Sequence, residues 1–188
     1  MKQAKTIIIV VVIAALIGGY YFYLSNKAQQ KEDDVQATAV QEVLMKNLET
    51  NYPPTPKEVV RYYSDISKCL YNEEYTDEQF EQMVDKMLAL YDDELLEQNP
   101  REQYIEDLRA DVILFETNGY TIESYSTSAS TDVVFDKIDG REWAKLYCMY
   151  SIRTSKGVSS SQEVYELRKD LETGHWKIYG FQMAVPKE

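Results

Sequence analysis

Tyrosines and carboxylates dominate the side chains capable of chemistry: the chain holds 16 Tyr and 32 Asp and Glu residues. An isomerase-type site could be composed from them, since that chemistry uses an acid as general base and a Tyr or a neutral acid as oxyanion donor inside an apolar pocket. In a chain this rich in both types such trios arise by composition alone, and a site requires matched geometry. No catalytic residue is therefore assigned. Tyr63, Tyr150 and Trp176 are the aromatic side chains expected to line a ligand pocket.

Other chemistries find less to work with. His175, the single histidine, stands between Gly174 and Trp176 at an expected hairpin turn, where neither an orienting partner nor a cleft is supplied. One His and two widely separated Cys give no zinc-ligand spacing. Tyr91-Asp92-Asp93-Glu94 and Asn72-Glu73-Glu74 are rich in oxygen but lack the alternating acids and glycine of a calcium loop. Asp92, Asp93 and Glu94 read better as acids at the positive end of a helix dipole. The glycines lie in turns and at the end of an apolar run, not in a phosphate-binding pattern. Neither a metal nor a cofactor is expected.

These residues must be positioned by a chain of two unlike parts. Thr6 to Leu24 carries no charge, is about 19 residues long and as a helix would extend about 28 Å, close to the hydrocarbon thickness of a bilayer. Tyr20 to Tyr23 put four aromatics where a cleaved signal peptide would need small residues, so an uncleaved signal anchor with an interfacial aromatic belt is expected. Lys2 and Lys5 place residues 1–5 in the cytoplasm and the C-terminal domain outside the cell membrane, in a single pass.

Beyond the span lie all the acids and all the bases except Lys2 and Lys5, a net charge of about −14 against −12 for the whole chain. Such a surface repels nucleic acid and anionic headgroups. Cys69 and Cys148 face a compartment that permits a disulfide, but each falls on an apolar face, as free buried thiols do.

Residues 25–51 read as a polar helical stalk, and the domain is expected to run from 52 to 188 after the breaks at Pro53, Pro54 and Pro56. Thr55 and Thr76, each followed three residues on by Glu58 or Gln79, mark helix starts. Stripes follow at Val59, Tyr63, Ile66 and Leu70, then at Phe80, Met83, Met87 and Tyr91, with a short helix about Glu94 to Glu97. Tyr104, Ile105, Leu108, Val112 and Phe115 form a fourth pattern ending at Asn118-Gly119. From Tyr120 the period becomes two, predicting five strands over 121–126, 132–136, 142–154, 159–170 and 175–185, joined by tight turns into an antiparallel meander. In the long third strand Ala144, Leu146, Cys148, Tyr150 and Ile152 share the core face.

Helices first and long antiparallel strands after them is an α+β order, with helices packed on one face of a curved sheet. With the closing strands Val164-Tyr165-Glu166-Leu167-Arg168-Lys169-Asp170 and Gly174-His175-Trp176-Lys177-Ile178-Tyr179-Gly180-Phe181, this resembles the cone-shaped nuclear-transport-factor-like (cystatin-like) superfamily. Tyr52-Pro53-Pro54-Thr55-Pro56, Cys69-Leu70-Tyr71-Asn72-Glu73-Glu74 and Leu90-Tyr91-Asp92-Asp93-Glu94-Leu95 make it similar to membrane-anchored members of Gram-positive clostridia, a domain of unknown function. The resemblance implies a cone over about residues 52 to 186, and superfamily members with this layout are either isomerases, dehydratases and cyclases or non-catalytic domains of secretion, conjugation and cell-wall machinery. The expectation is a non-catalytic envelope domain that contacts other envelope proteins. A small-ligand or peptide pocket, an isomerase- or hydratase-type enzyme and an assembly component of a conjugation or secretion machinery are the alternatives; oligomeric state stays open.

Overall fold

The computed structural model describes residues 37–184. The expected span Thr6–Leu24, the tail before it and residues 25–36 of the expected stalk lie outside the described residues, as does Val185 at the end of the last expected strand. Among the described residues no helix is long and apolar enough to cross a membrane.

The compact unit begins at Thr38, not at Tyr52. Helix α1 (Ala39–Met45) opens with a capping box in which the Thr38 hydroxyl accepts from Gln41 N at 3.2 Å and Gln41 Oε1 accepts from Thr38 N at 3.0 Å. Val40 and Val43 are buried in the core, with Leu44 and Leu48 packed against it. The Tyr62 hydroxyl donates to Val43 O at 2.7 Å and Lys86 Nζ to Lys46 O at 2.6 Å, which ties this helix end to two others. This part of the expected stalk is thus part of the domain, because its thin apolar stripe has somewhere to be buried.

Helix α2 (Pro56–Asn72) starts as its sequence dictates, with Thr55 accepting from Glu58 N and Pro56 at the first position. Its stripe of Val59, Tyr63, Ile66 and Leu70 is buried against the sheet. Helix α3 (Asp77–Leu88) has the full Thr76–Gln79 box but stops short of Tyr91. The chain turns extended there instead: Ile178 N donates to Leu90 O and Asp92 N to Ile178 O, each at 2.8 Å, so Tyr91 forms a parallel bridge beside the last strand. Two further helices follow, α4 (Asp93–Gln98) and α5 (Arg101–Thr117). The expected stripe of α5 is only half-buried, and Ile113 and Leu114, which lie outside it on the same helix, are exposed.

The sheet is antiparallel, with strands β1 (Thr121–Thr127), β2 (Val134–Ile138), β3 (Arg141–Thr154), β4 (Gly157–Lys169) and β5 (Trp176–Met183). It is not the simple meander expected, for β1 skips β2 and pairs with β3. The reason is length: β3 has 14 residues, β1 only 7 and β2 only 5, so both short strands fit end to end along one edge of the long one. At their junction the Ser128 hydroxyl accepts from Tyr147 N at 3.0 Å in place of a backbone carbonyl. The β2–β3 hairpin turns at Asp139-Gly140, both with positive φ (50° and 82°), the pair of left-handed residues that a two-residue turn of this hand needs. Register shifts between Ile122 and Ser124 and between Glu166 and Leu167 bend the sheet around α2. Ala144, Leu146, Cys148 and Tyr150 are buried on its inner face as the alternation predicts.

Candidate functional site

The inner face continues across register. Cys148 lies opposite Glu163, Tyr150 opposite Ser161 and Leu146 opposite Tyr165, so period-two geometry points Glu163 inward among apolar and aromatic neighbours. Around it opens a cavity of about 190 Å³ between α2, α5 and the sheet. Tyr63, Ser67 and Tyr71 reach it from α2, Asp111 and Phe115 from α5, and Ile122, Tyr150, Ile152, Ser161 and Glu163 from the strands. The side-chain amide of Asn72 holds these walls together: its Nδ2 donates to Ile122 O at 2.8 Å and its Oδ1 accepts from Ile122 N at 2.9 Å, pinning the end of α2 to the start of β1.

Hydroxyl groups behind the cavity form a chain whose direction the carboxylate dictates. The Tyr165 hydroxyl donates to Glu163 Oε2 at 2.6 Å. With its single proton committed, it can only accept from Tyr150 at 3.1 Å, which in turn must accept from Ser64 Oγ at 2.7 Å. The Cys148 thiol, 3.5 Å from Ser64, completes the series. Every proton in the chain points toward ionised Glu163, and such aligned bonds polarise one another.

A second set of hydroxyls lies beside the first, with Tyr63 and Tyr91 at 3.2 Å and Tyr91 and Tyr104 at 2.9 Å. At the rim, the Tyr71 hydroxyl donates to Asp111 Oδ2.

Burial sets the proton affinities. Desolvation pushes the half-buried Glu163 carboxyl above its usual range, although the Tyr165 hydrogen bond pulls the other way. It raises Tyr165, Tyr150 and Tyr71 as well, with the Glu163 charge contributing to each. Cys148 is raised by burial, with its contacts to Ser64 and Tyr150 acting the other way. Among the described residues Glu163 and Asp111 have no ion-pair partner.

Of the expected pocket aromatics, Tyr63 and Tyr150 line this cavity. Trp176 does not: it packs at the other end of the sheet, 5.8 Å from Phe135 and with Lys169 over its ring at 5.6 Å, while its carbonyl accepts from the Tyr52 hydroxyl. Its register opposite Lys169, far along β4 from Glu163, explains the difference. His175 is not a free turn residue, since its ring stacks on Tyr52 at 4.0 Å and 3°. Cys69 and Cys148 are both buried free thiols, and burial, with help from Glu73 and Asp65, pushes the Cys69 thiol up to about 11.

The acid at the start of α4 has a structural task. Asp92 accepts from Glu94 N at 3.1 Å as the helix cap and takes both Nε, at 3.0 Å, and Nη2 of Arg168. Arg168 also reaches Glu94 at 2.8 Å and lies against the rings of Tyr179 and Trp143 at 4.8 and 5.4 Å. Sequence reasoning missed Arg168, and likewise Glu163 and Asp111. For Glu163 a signal existed: its alternation with Tyr165 and Leu167 marks it as an acid on a core face.

An α+β domain whose helices pack on a curved antiparallel sheet, with an amphipathic cleft between them, is the class these observations define. The chain belongs to the family described as "Domain of unknown function (DUF6715)", which matches residues 1–181. No curated protein matches it.

Proposed function

We propose that this chain is an extracytoplasmic binding domain of the cell envelope, anchored in the membrane through Thr6–Leu24 and built as a nuclear-transport-factor-like cone. Its cavity between α2, α5 and β4 takes a small ligand. The observation that carries this reading is Glu163: a half-buried acid, aimed into about 190 Å³ of open space and held by a tyrosine rather than a cation. Buried carboxylates that serve the fold alone are paired.

Binding without conversion is favoured over an isomerase or hydratase reaction. The Tyr165, Tyr150 and Ser64 protons are committed to the chain that ends on Glu163, and the Tyr71 proton to Asp111. Of the tyrosine hydroxyls that line the cavity, that leaves only the one of Tyr63, 3.2 Å from Tyr91, to stabilise an oxyanion. Filling the cavity tests the reading. The full-length protein in detergent, screened by saturation-transfer NMR against molecules of about ten non-hydrogen atoms, should give ligands that Ser161→Phe and Ser67→Phe each displace. Hits indifferent to both substitutions, or no hits, would remove it.

A contact surface for another envelope protein is the second reading, supported by Val134, Tyr147 and Met149, which are exposed together on the outer face of the sheet. In-cell cross-linking from these three positions that yields no discrete adduct would exclude it.

A further inference from the structure

We infer that the ligand of this cavity is a compact organic cation, an alkylammonium group seated head-first against Glu163 with its apolar body among the aromatic walls. The inference deepens the binding reading above and rests on it. Three independent features of the cavity lead to it.

Charge comes first. Two carboxylates line the cavity at different depths, Asp111 at the exposed rim and Glu163 inside, and no Lys, Arg or His is among the lining residues. An anionic ligand meets repulsion at both levels. A cation is drawn in by both, and by the net charge of −12 on the chain.

The second is the count of donors and acceptors. Glu163 accepts from Tyr165 through Oε2, and Asp111 accepts from Tyr71 through Oδ2. Among the described residues no donor reaches Glu163 Oε1 or Asp111 Oδ1. The Tyr71 and Tyr150 protons are committed and Ser67 donates to Tyr63 O at 2.9 Å, so the open donors are the Ser161 hydroxyl and, where Tyr91 donates to it, the Tyr63 hydroxyl, against two open carboxylate oxygens. The cavity therefore offers acceptors and asks for donors. An ammonium group has donors only.

The walls are the third. Tyr63, Tyr71, Phe115 and Tyr150 surround the space, with the Tyr71 and Phe115 rings 4.8 Å apart and inclined by 58°. Ring faces attract cations, most strongly where water is excluded. A volume of about 190 Å³ exceeds the roughly 150 Å³ of an engineered cavity that holds benzene, so it admits a short alkylammonium. Desolvation raises the proton affinity of the Glu163 carboxyl, and a cation beside it would act in the opposite direction.

The test uses full-length protein in detergent and three short-chain probes, n-butylammonium chloride, n-pentanol and sodium pentanoate, titrated by calorimetry at constant ionic strength. Butylammonium should bind best, and Glu163→Gln should weaken it by about ten- to a hundredfold. Asp111→Asn, at an exposed position that leaves the core untouched, should weaken it less. If pentanol or pentanoate binds as tightly as the ammonium and Ser161→Phe displaces it, the cation inference falls while the pocket reading stands. If none of the three binds, both fall. Ammonium binding unaffected by both carboxylate substitutions would place the cation elsewhere and overturn the inference.

Discussion

Two inward acids of this domain, Asp92 and Glu163, have opposite surroundings. Asp92 is 6 % exposed and receives two bonds from Arg168, itself 8 % exposed and lying against two aromatic rings. Its charge is answered within the fold, and the space around it is filled. Glu163 receives one hydroxyl and looks onto a void. The contrast teaches how to separate an acid that serves the architecture from one that faces a ligand: the question is whether the protein itself supplies the counter-charge.

The comparison can be broken most forcefully at Arg168. Arg168→Ala leaves Asp92 buried and uncompensated, and should cost about 3–5 kcal/mol in urea unfolding. A loss below about 1 kcal/mol would put this pair among the weak ion pairs of protein surfaces and dissolve the distinction.

Tyr165→Phe is next in size. It removes the donor to Glu163 and the acceptor for Tyr150 in one step, and should cost about 1–3 kcal/mol by the same measurement.

The smallest effect, and the sharpest, belongs to Glu163→Gln. A carboxyl whose proton affinity is raised by folding favours the neutral form in the folded state. It contributes stability that is full below its unfolded pKa, about 4.3, and is lost as pH rises through its folded value. Melting temperature in the wild type should therefore fall over that window, and the glutamine variant should flatten the fall, being no less stable at neutral pH. Tyr71, Tyr150, Tyr165 and Cys148 face Glu163 from α2, β3 and β4 with proton affinities raised by burial, which moves their titration away from this window. Asp111 faces it from α5, so the double variant with Asp111→Asn serves as the control.

Much of the architecture was legible because local signals agreed. Thr55-Pro56 and the Thr76–Gln79 box start α2 and α3 where the residues say, and alternation along β3 named its buried face. What escaped were choices made by tertiary contacts. Nothing near Leu90 to Asp92 announces that they leave α3 to pair with Ile178, and nothing near Val40 shows that a polar helix finds a groove on α2 and α3. Pairing β1 with β3 depends on strand lengths compared across 30 residues, not on any turn. For the site, Tyr63 and Tyr150 were readable as inward aromatics, whereas Asp111 and Tyr71 meet only because α5 crosses the end of α2. Trp176 was drawn to the wrong end by its aromatic character alone.

The placement of the two tryptophans has an optical consequence. Trp143 sits against Arg168 and Tyr179, Trp176 against Phe135 and Lys169, and neither borders the cavity, which is walled by tyrosines and one phenylalanine. Red-edge emission will thus track the loosening of the Asp92–Arg168 end while remaining almost silent to occupancy. Excitation of the phenols, read as tyrosine emission or as transfer to the indoles, is the channel through which an arriving guest would announce itself.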